Sequence, residues 1–131
     1  MAEMTTQDIV KTAEADKGNS ERWEQVYASL ATLLKTDKYR MLRAGNTLFL
    51  IQIKSPGVAE MFTFNADTKH GLIKNIQEFL TAMSKAKYKT VYGNTSNVQV
   101  LRLMQRAGHP VDIERLPDEN GKPIFRGTFH G

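Results

Sequence analysis

The sequence contains no cysteine, which removes disulfide frameworks, thiolate metal sites and cysteine nucleophiles and fits a reducing compartment. No apolar run approaches the roughly 20 residues that a membrane helix needs. The opening stretch MAEMTTQDIVKTAEADKG has no apolar core preceded by basic residues, so it does not read as a secretory signal. There is no phosphate-binding P-loop, no dinucleotide fingerprint and no nucleophile elbow. The three histidines, His70, His109 and His130, fall on separate predicted elements with no supporting carboxylate spacing, which speaks against a metal centre. Tyr88, Tyr92 and Phe62 do not form an aromatic-and-basic strand motif, which speaks against sequence-specific nucleic-acid recognition.

What is present suits one folded domain: 131 residues, 40% hydrophobic and 24% charged. Net charge is +4, a balance that can signal an acidic partner such as nucleic acid, a membrane surface or a phosphorylated cofactor. The basic residues are scattered. Their tightest cluster, Lys85, Lys87 and Lys89, falls where a helix gives way to a strand, so it reads either as a solvated helix end or as an anion site.

Residues 1–18, rich in Thr, Ala, Asp, Glu and Lys, read as a flexible tail, with the domain itself spanning 19–131. Asn19-Ser20 offers a cap for a helix to Leu34, whose stripe is Trp23, Val26, Tyr27, Leu30, Leu33 and Leu34. Three strands are predicted next: Tyr39–Ala44, Thr47–Lys54 and Val58–Asn65, joined by a Gly45-Asn46 hairpin and a Pro56-Gly57 turn. Phe49 and Ile51 alternate with Leu48 and Leu50, so the second strand has two apolar faces and belongs inside a sheet covered on both sides. A helix follows, capped by Asp67 or Thr68, with Leu72, Ile73, Ile76, Phe79, Leu80 and Met83 on one face. Lys89–Tyr92 reads as a short buried strand parallel to the third, because a strand–helix–strand unit crosses over right-handed. After a Gly93-Asn94-Thr95 loop, Ser96 and Gln99 form a capping box for a helix over Asn97–Ala107, closed by Gly108 and Pro110. Val111–Leu116 and Ile124–Phe129 are closing strands, joined by a Pro117–Pro123 loop.

The predicted class is therefore α/β (α+β): a mixed central sheet with an antiparallel meander, a parallel βαβ crossover and helices on both faces. From residue 20 onward this order resembles the GNAT acetyltransferase fold. A local pattern adds to the resemblance. In the family's Asn-x-x-Ala-x-x-Leu-Tyr-x-x-x-Gly-Phe stretch, the slots fall on Asn97, Val100, Leu103, Met104, Gly108 and His109. Asn97, Leu103 and Gly108 match, while Met104 replaces a tyrosine that often serves as general acid and His109 replaces the phenylalanine. The stretch Val91-Tyr92-Gly93-Asn94-Thr95-Ser96 is also similar to small GNAT-like internal virion or assembly proteins of tailed bacteriophages. Each of these residues equally serves as a cap or as core without any ligand.

The resemblance implies an acetyl-CoA site. The family's cradle, Gln/Arg-x-x-Gly-x-Gly/Ala, maps onto Asn65–Ile73, which has one glycine, Gly71. Thr68, Lys69, His70 and Gly71, with Asn97, are the implied cofactor-binding residues, though the segment also reads as an ordinary helix start whose Asp67 places negative charge near any phosphate. Glu60 lies near where the family often carries a glutamate base, and reads otherwise as an edge-strand charge. Tyr92 is the candidate acid, and otherwise packs with its hydroxyl at the sheet end.

Two functions follow. One is a phage virion-associated or assembly protein with an eroded acetyl-CoA site and no cofactor, acting through other virion proteins or self-association, in host cytoplasm or virion. The alternative is a cytoplasmic acetyl-CoA-dependent N-acetyltransferase acting on an amine. The weak cradle and Met104 favour the first.

Overall fold

The computed structural model describes residues 4–18 and 20–130. In chain order the elements are α1 (Thr6–Asp16), α2 (Trp23–Leu33), β1 (Tyr39–Ala44), β2 (Thr47–Ser55), β3 (Val58–Asn65), α3 (Lys69–Lys85), β4 (Thr90–Thr95), α4 (Val98–Arg106), β5 (Val111–Glu119) and β6 (Lys122–His130). The six strands form one sheet in the order β1-β2-β3-β4-β6-β5. Every neighbouring pair is antiparallel except β3 and β4, which are parallel across the α3 crossover. The last strand is inserted between β4 and β5, so the sheet closes on its own chain end.

The two apolar faces of β2 meet two cores. Phe49 and Ile51 pack with Ile76, Phe79, Met83, Leu101, Met104 and Phe129 beneath α3 and α4, and Phe49 stacks on Phe79 at 4.3 Å between ring centroids. Leu48, Leu50 and Phe64 pack on the other face with Ile9, Val10, Ala13 and Leu30 of α1 and α2. The alternation along β2 therefore does what period-2 patterning requires of a strand covered on both sides.

The largest departure from expectation is at the N-terminus. Residues 6–16 are not a tail but a helix, whose Ile9 and Val10 are 0% exposed. Burying two such side chains contributes roughly 3–6 kcal/mol, enough to hold a short helix that polar composition alone would leave unfolded. Thr5 and Asp8 cap it reciprocally: Asp8 N–H donates to the Thr5 hydroxyl at 3.1 Å and Thr5 N–H to the Asp8 carboxylate at 3.3 Å. Asn19 of the expected Asn19-Ser20 cap lies outside the described residues, and α2 begins at Trp23 behind Arg22, which makes no side-chain cap bond. Leu34 lies beyond α2 and is 38% exposed, not part of its buried stripe.

Other turns match their chemistry. Gly57 takes φ +79° after Pro56, and Gly108 takes φ +91° after α4. There Gly108 and His109 donate their N–H groups to Gln105 and Met104, the paired bonds of a Schellman end. The cap of α4 is Asn97, one residue later than the expected Ser96: the Thr95 hydroxyl accepts from Asn97 N–H at 3.0 Å, and Asn97 Oδ1 accepts from Gln99 N–H at 3.1 Å. The expected Gly93-Asn94-Thr95 loop is strand, because β4 stays in register with β6 through Thr95 and Phe125. The expected 117–123 loop is likewise a continuation of the β5–β6 hairpin, turning at Asn120-Gly121 with φ +52° and +76°. Both central residues there lie at positive φ, as an Asn-Gly two-residue turn requires. No described helix is long and apolar enough to cross a membrane.

Candidate functional site

The site begins at a fork in the sheet. β3 and β4 are paired only at Val58–Thr90, Ala59–Val91 and Glu60–Tyr92. Beyond that rung β3 stays registered with β2 to Asn65 and β4 with β6 to Thr95, so the two strands part. Their facing edges then carry backbone N–H and C=O groups with no ladder partner, and such groups need water or a ligand. The fork opens a groove of about 660 Å³. Leu72 and Ile76 of α3, Val100, Leu101 and Met104 of α4, and Phe129 form one side; Ala13, Glu14, Asp16 and Lys17 of α1 form the other.

Gly93 is buried at the parting. A Cβ there would meet Met61 Cγ at 2.8 Å and the Met61 carbonyl oxygen at 3.1 Å, so only glycine lets Met61 lie across β4. Met104, in the slot where the resemblance implies a tyrosine, is 0% exposed on the apolar side and offers no proton.

Glu60 and Tyr92 are register partners on the last rung before the strands part. Glu60 lines the groove, and its carboxylate is 3.3 Å from Lys54 Nζ with 15% of its side chain exposed. β3 lies inside the sheet at this point, with Gln52 on one side and Tyr92 on the other, so the edge-strand reading of Glu60 is corrected. Tyr92 is half-buried under the Arg126 guanidinium, 5.1 Å from its ring centre, and Arg126 Nε also donates to Asn94 Oδ1 at 3.1 Å.

The residues expected to hold a cofactor divide into two places. Asn97 lines the groove, with its side chain already engaged as the α4 cap. Thr68, Lys69, His70 and Gly71 stand at the start of α3 and are not among the groove-lining residues. Thr68 is the cap, its hydroxyl accepting from Gly71 N–H at 3.2 Å, while the N–H groups of Lys69 and His70 precede the first intrahelical bond, Leu72 N–H to the Thr68 carbonyl. Asp67, feared as a negative charge beside any phosphate, is turned away. Its carboxylate accepts from Asn46 N–H at 2.8 Å, Asn46 Nδ2 at 3.3 Å and Asn75 Nδ2 at 2.6 Å. Burial opposes ionisation, but these bonds and Arg43 outweigh it and hold the Asp67 carboxyl below the ordinary value of 3.8. Asn65 completes the lock, accepting from Asp67 N–H at 3.0 Å and from Thr47 Oγ1 at 2.8 Å.

The α1 wall, with Glu14, Asp16 and Lys17, was missed in the sequence along with the helix that carries it. The signal for it was the Thr5-x-x-Asp8 spacing ahead of Ile9, Val10 and Ala13. Among the described residues no group of three or more His, Cys, Asp or Glu side chains could hold a metal.

No protein-family model matches the chain, and no curated protein is significantly similar to it. Solved structures do match. An aminoglycoside 6'-acetyltransferase type Ii superposes with a TM-score of 0.64 at 9% identity, over 98% of this chain and 95% of that one. The ribosomal-protein-S18-alanine N-acetyltransferase from Escherichia coli gives 0.58 at 16% identity, over 98% and 91%. The PaiA N-acetyltransferase from Thermoplasma acidophilum, solved in complex with coenzyme A, gives 0.51 at 10% identity, over 92% and 88%. The chain thus has the GNAT acetyltransferase fold, a mixed sheet with helices on both faces. At these identities the likeness is one of fold.

Proposed function

We propose that this protein is an acetyl-CoA-dependent N-acetyltransferase that transfers acetyl to an amine. The observation that carries the reading is the β3–β4 fork, an apolar groove edged by unpaired backbone donors and acceptors. Such an edge suits an extended polyamide arm, which needs the same hydrogen bonds a strand needs, and the groove's volume falls within the range of small-ligand sites. The N–H groups of Lys69 and His70, with the exposed ammonium of Lys69, suit a diphosphate at the start of α3. Gly71 supports this less strongly: a Cβ there would meet Asp67 Cβ at 3.0 Å and Thr68 Oγ1 at 3.3 Å, so the glycine is explained by packing as well.

Acetyl-CoA supplies a thioester carbonyl that an amine nitrogen attacks, forming a C–N bond as the thiolate leaves. In this reading Glu60 takes the amine proton, with Lys54 keeping it ionised and therefore able to accept one. Tyr92, on the same rung, is the group from which a proton reaches the departing sulfur, and Asn97 borders the groove where the arm leaves it. The virion or assembly reading loses its support. The Gly93–Ser96 stretch that suggested it is mostly β4, and the neighbours named above are acetyltransferases.

Calorimetric titration with acetyl-CoA, repeated with desulfo-CoA, tests the proposal. Micromolar binding is expected, with about 2.7 kcal/mol of added stability at a hundred times Kd in a parallel thermal scan. Lys69→Ala should weaken both ligands. Absence of binding at millimolar ligand overturns the proposal, and unchanged affinity in Lys69→Ala overturns the placement of the diphosphate.

A further inference from the structure

Glu14 is the one buried carboxylate among the described residues, its side chain 7% exposed. No described residue gives it a hydrogen bond. Its nearest cation is Lys17 Nζ at 3.9 Å, an ammonium that is itself half exposed and leans over the Phe64 ring at 5.1 Å. An unpaired carboxylate taken out of water costs several kcal/mol, and α1 gains nothing from it in packing, since Ile9, Val10 and Ala13 already fill the core on that side. The position demands a reason outside the fold.

That reason lies in what Glu14 faces. It lines the groove at the fork, across from Glu60, Phe62 and Phe64 of β3. The carboxylates lining this groove are Glu14, Asp16 and Glu60, against one described cation, Lys17. The groove is thus locally acidic in a chain whose net charge is +4. Phe62, 41% exposed, adds an aromatic face of the kind that attracts cations.

We propose that Glu14 binds an ammonium group of the acceptor, which makes the acceptor a cationic amine held between α1 and the aromatic edge of β3. The assignment rests on the acetyltransferase reading for its purpose, and on the buried, unpartnered carboxylate for its place. The bound cation supplies the charge-assisted hydrogen bonds that the fold leaves out.

The test uses the full chain in the presence of CoA, so that no turnover occurs. Benzylamine, a cation at pH 7, is titrated against wild type and Glu14→Gln, with benzyl alcohol as the neutral counterpart. Wild type should bind benzylamine and discriminate against the alcohol. Glu14→Gln should weaken benzylamine about tenfold or more and leave CoA affinity unchanged. Its melting temperature should be equal to or above that of wild type, because an unpaired buried charge has been removed. A purely structural role predicts the opposite: lower melting temperature and unchanged amine affinity, and that result overturns the inference. Unchanged amine affinity in a stable variant that still binds CoA overturns it too. Glu14-dependent amine binding by a protein that does not bind CoA supports the cation site and defeats the acetyltransferase reading alone.

Discussion

Replacing Asp67 by alanine should cost about 2–3 kcal/mol and change the acid limb of the stability curve. The residue ties three elements together: the Gly45-Asn46 turn, the end of β3 and the start of α3. Two of its bonds are short, from Asn46 N–H at 2.8 Å and Asn75 Nδ2 at 2.6 Å, and the third, from Asn46 Nδ2 at 3.3 Å, adds little. Hydrogen bonds to a charged group contribute about 1.5–3 kcal/mol each, and partial exposure of Asn46 lets water replace some of that. Asn75, 5% exposed, keeps its bond to Thr47 but loses its second partner in a place water does not easily reach. For a domain of this size the loss lowers Tm by about 6–12 °C. The carboxyl is held below its ordinary 3.8, so its stabilisation is complete above that pH and is lost as pH falls through the lower folded value. Urea melts of wild type and Asp67→Ala should therefore differ fully at pH 7 and converge as pH drops below 3.8. A deficit under about 0.5 kcal/mol at pH 7, the ordinary range for a surface change, would refute the reasoning. So would a deficit that persists unchanged into acid.

Two further substitutions probe the fork and a strained helix end. Gly93→Ala forces a Cβ to within 2.8 Å of Met61 and should destabilise by about 1–3 kcal/mol in urea while weakening acetyl-CoA, because Met61 and Gly93 both line the groove. Equal stability and equal affinity would mean that Met61 does not need that space. Lys87 closes α3 at φ +67°, with its N–H and that of Tyr88 bonded to Ser84 and Met83 as in a Schellman end. Lys87→Gly should raise stability by about 0.5–1 kcal/mol by relieving the left-handed backbone, and a fall in Tm would show that the lysine side chain contributes more than the strain costs.

The sheet was legible because its information is local. The bounds of β1 and β3 follow from alternation and the two turns between them, and the parallel pairing follows from the handedness of a crossover. Helix α1 was not legible by composition, because its apolar residues are few and gain their energy only from the face of β2 and β3 that they cover. The ends of β4 and β5 were misplaced for a related reason. Gly93, Asn94 and Pro117 are poor strand residues taken singly, and only registry with β6 holds them extended.

The site divides along the same line. Glu60, Tyr92 and Asn97 could be named from the sequence, yet what relates them is the parting of two strands, a property of pairing that no single segment records. The cradle was judged by its glycines, whereas the features that matter for charge there are the capped start of α3 and a carboxylate turned the other way. Met104 and Glu14 complete the contrast. A residue that looked like the loss of a catalytic acid is a fully buried floor. A residue that looked like part of a polar tail is the carboxylate whose burial the fold alone does not explain. The groove's chemistry therefore sits on the β3 and α1 side of the fork, and the α4 side supplies shape.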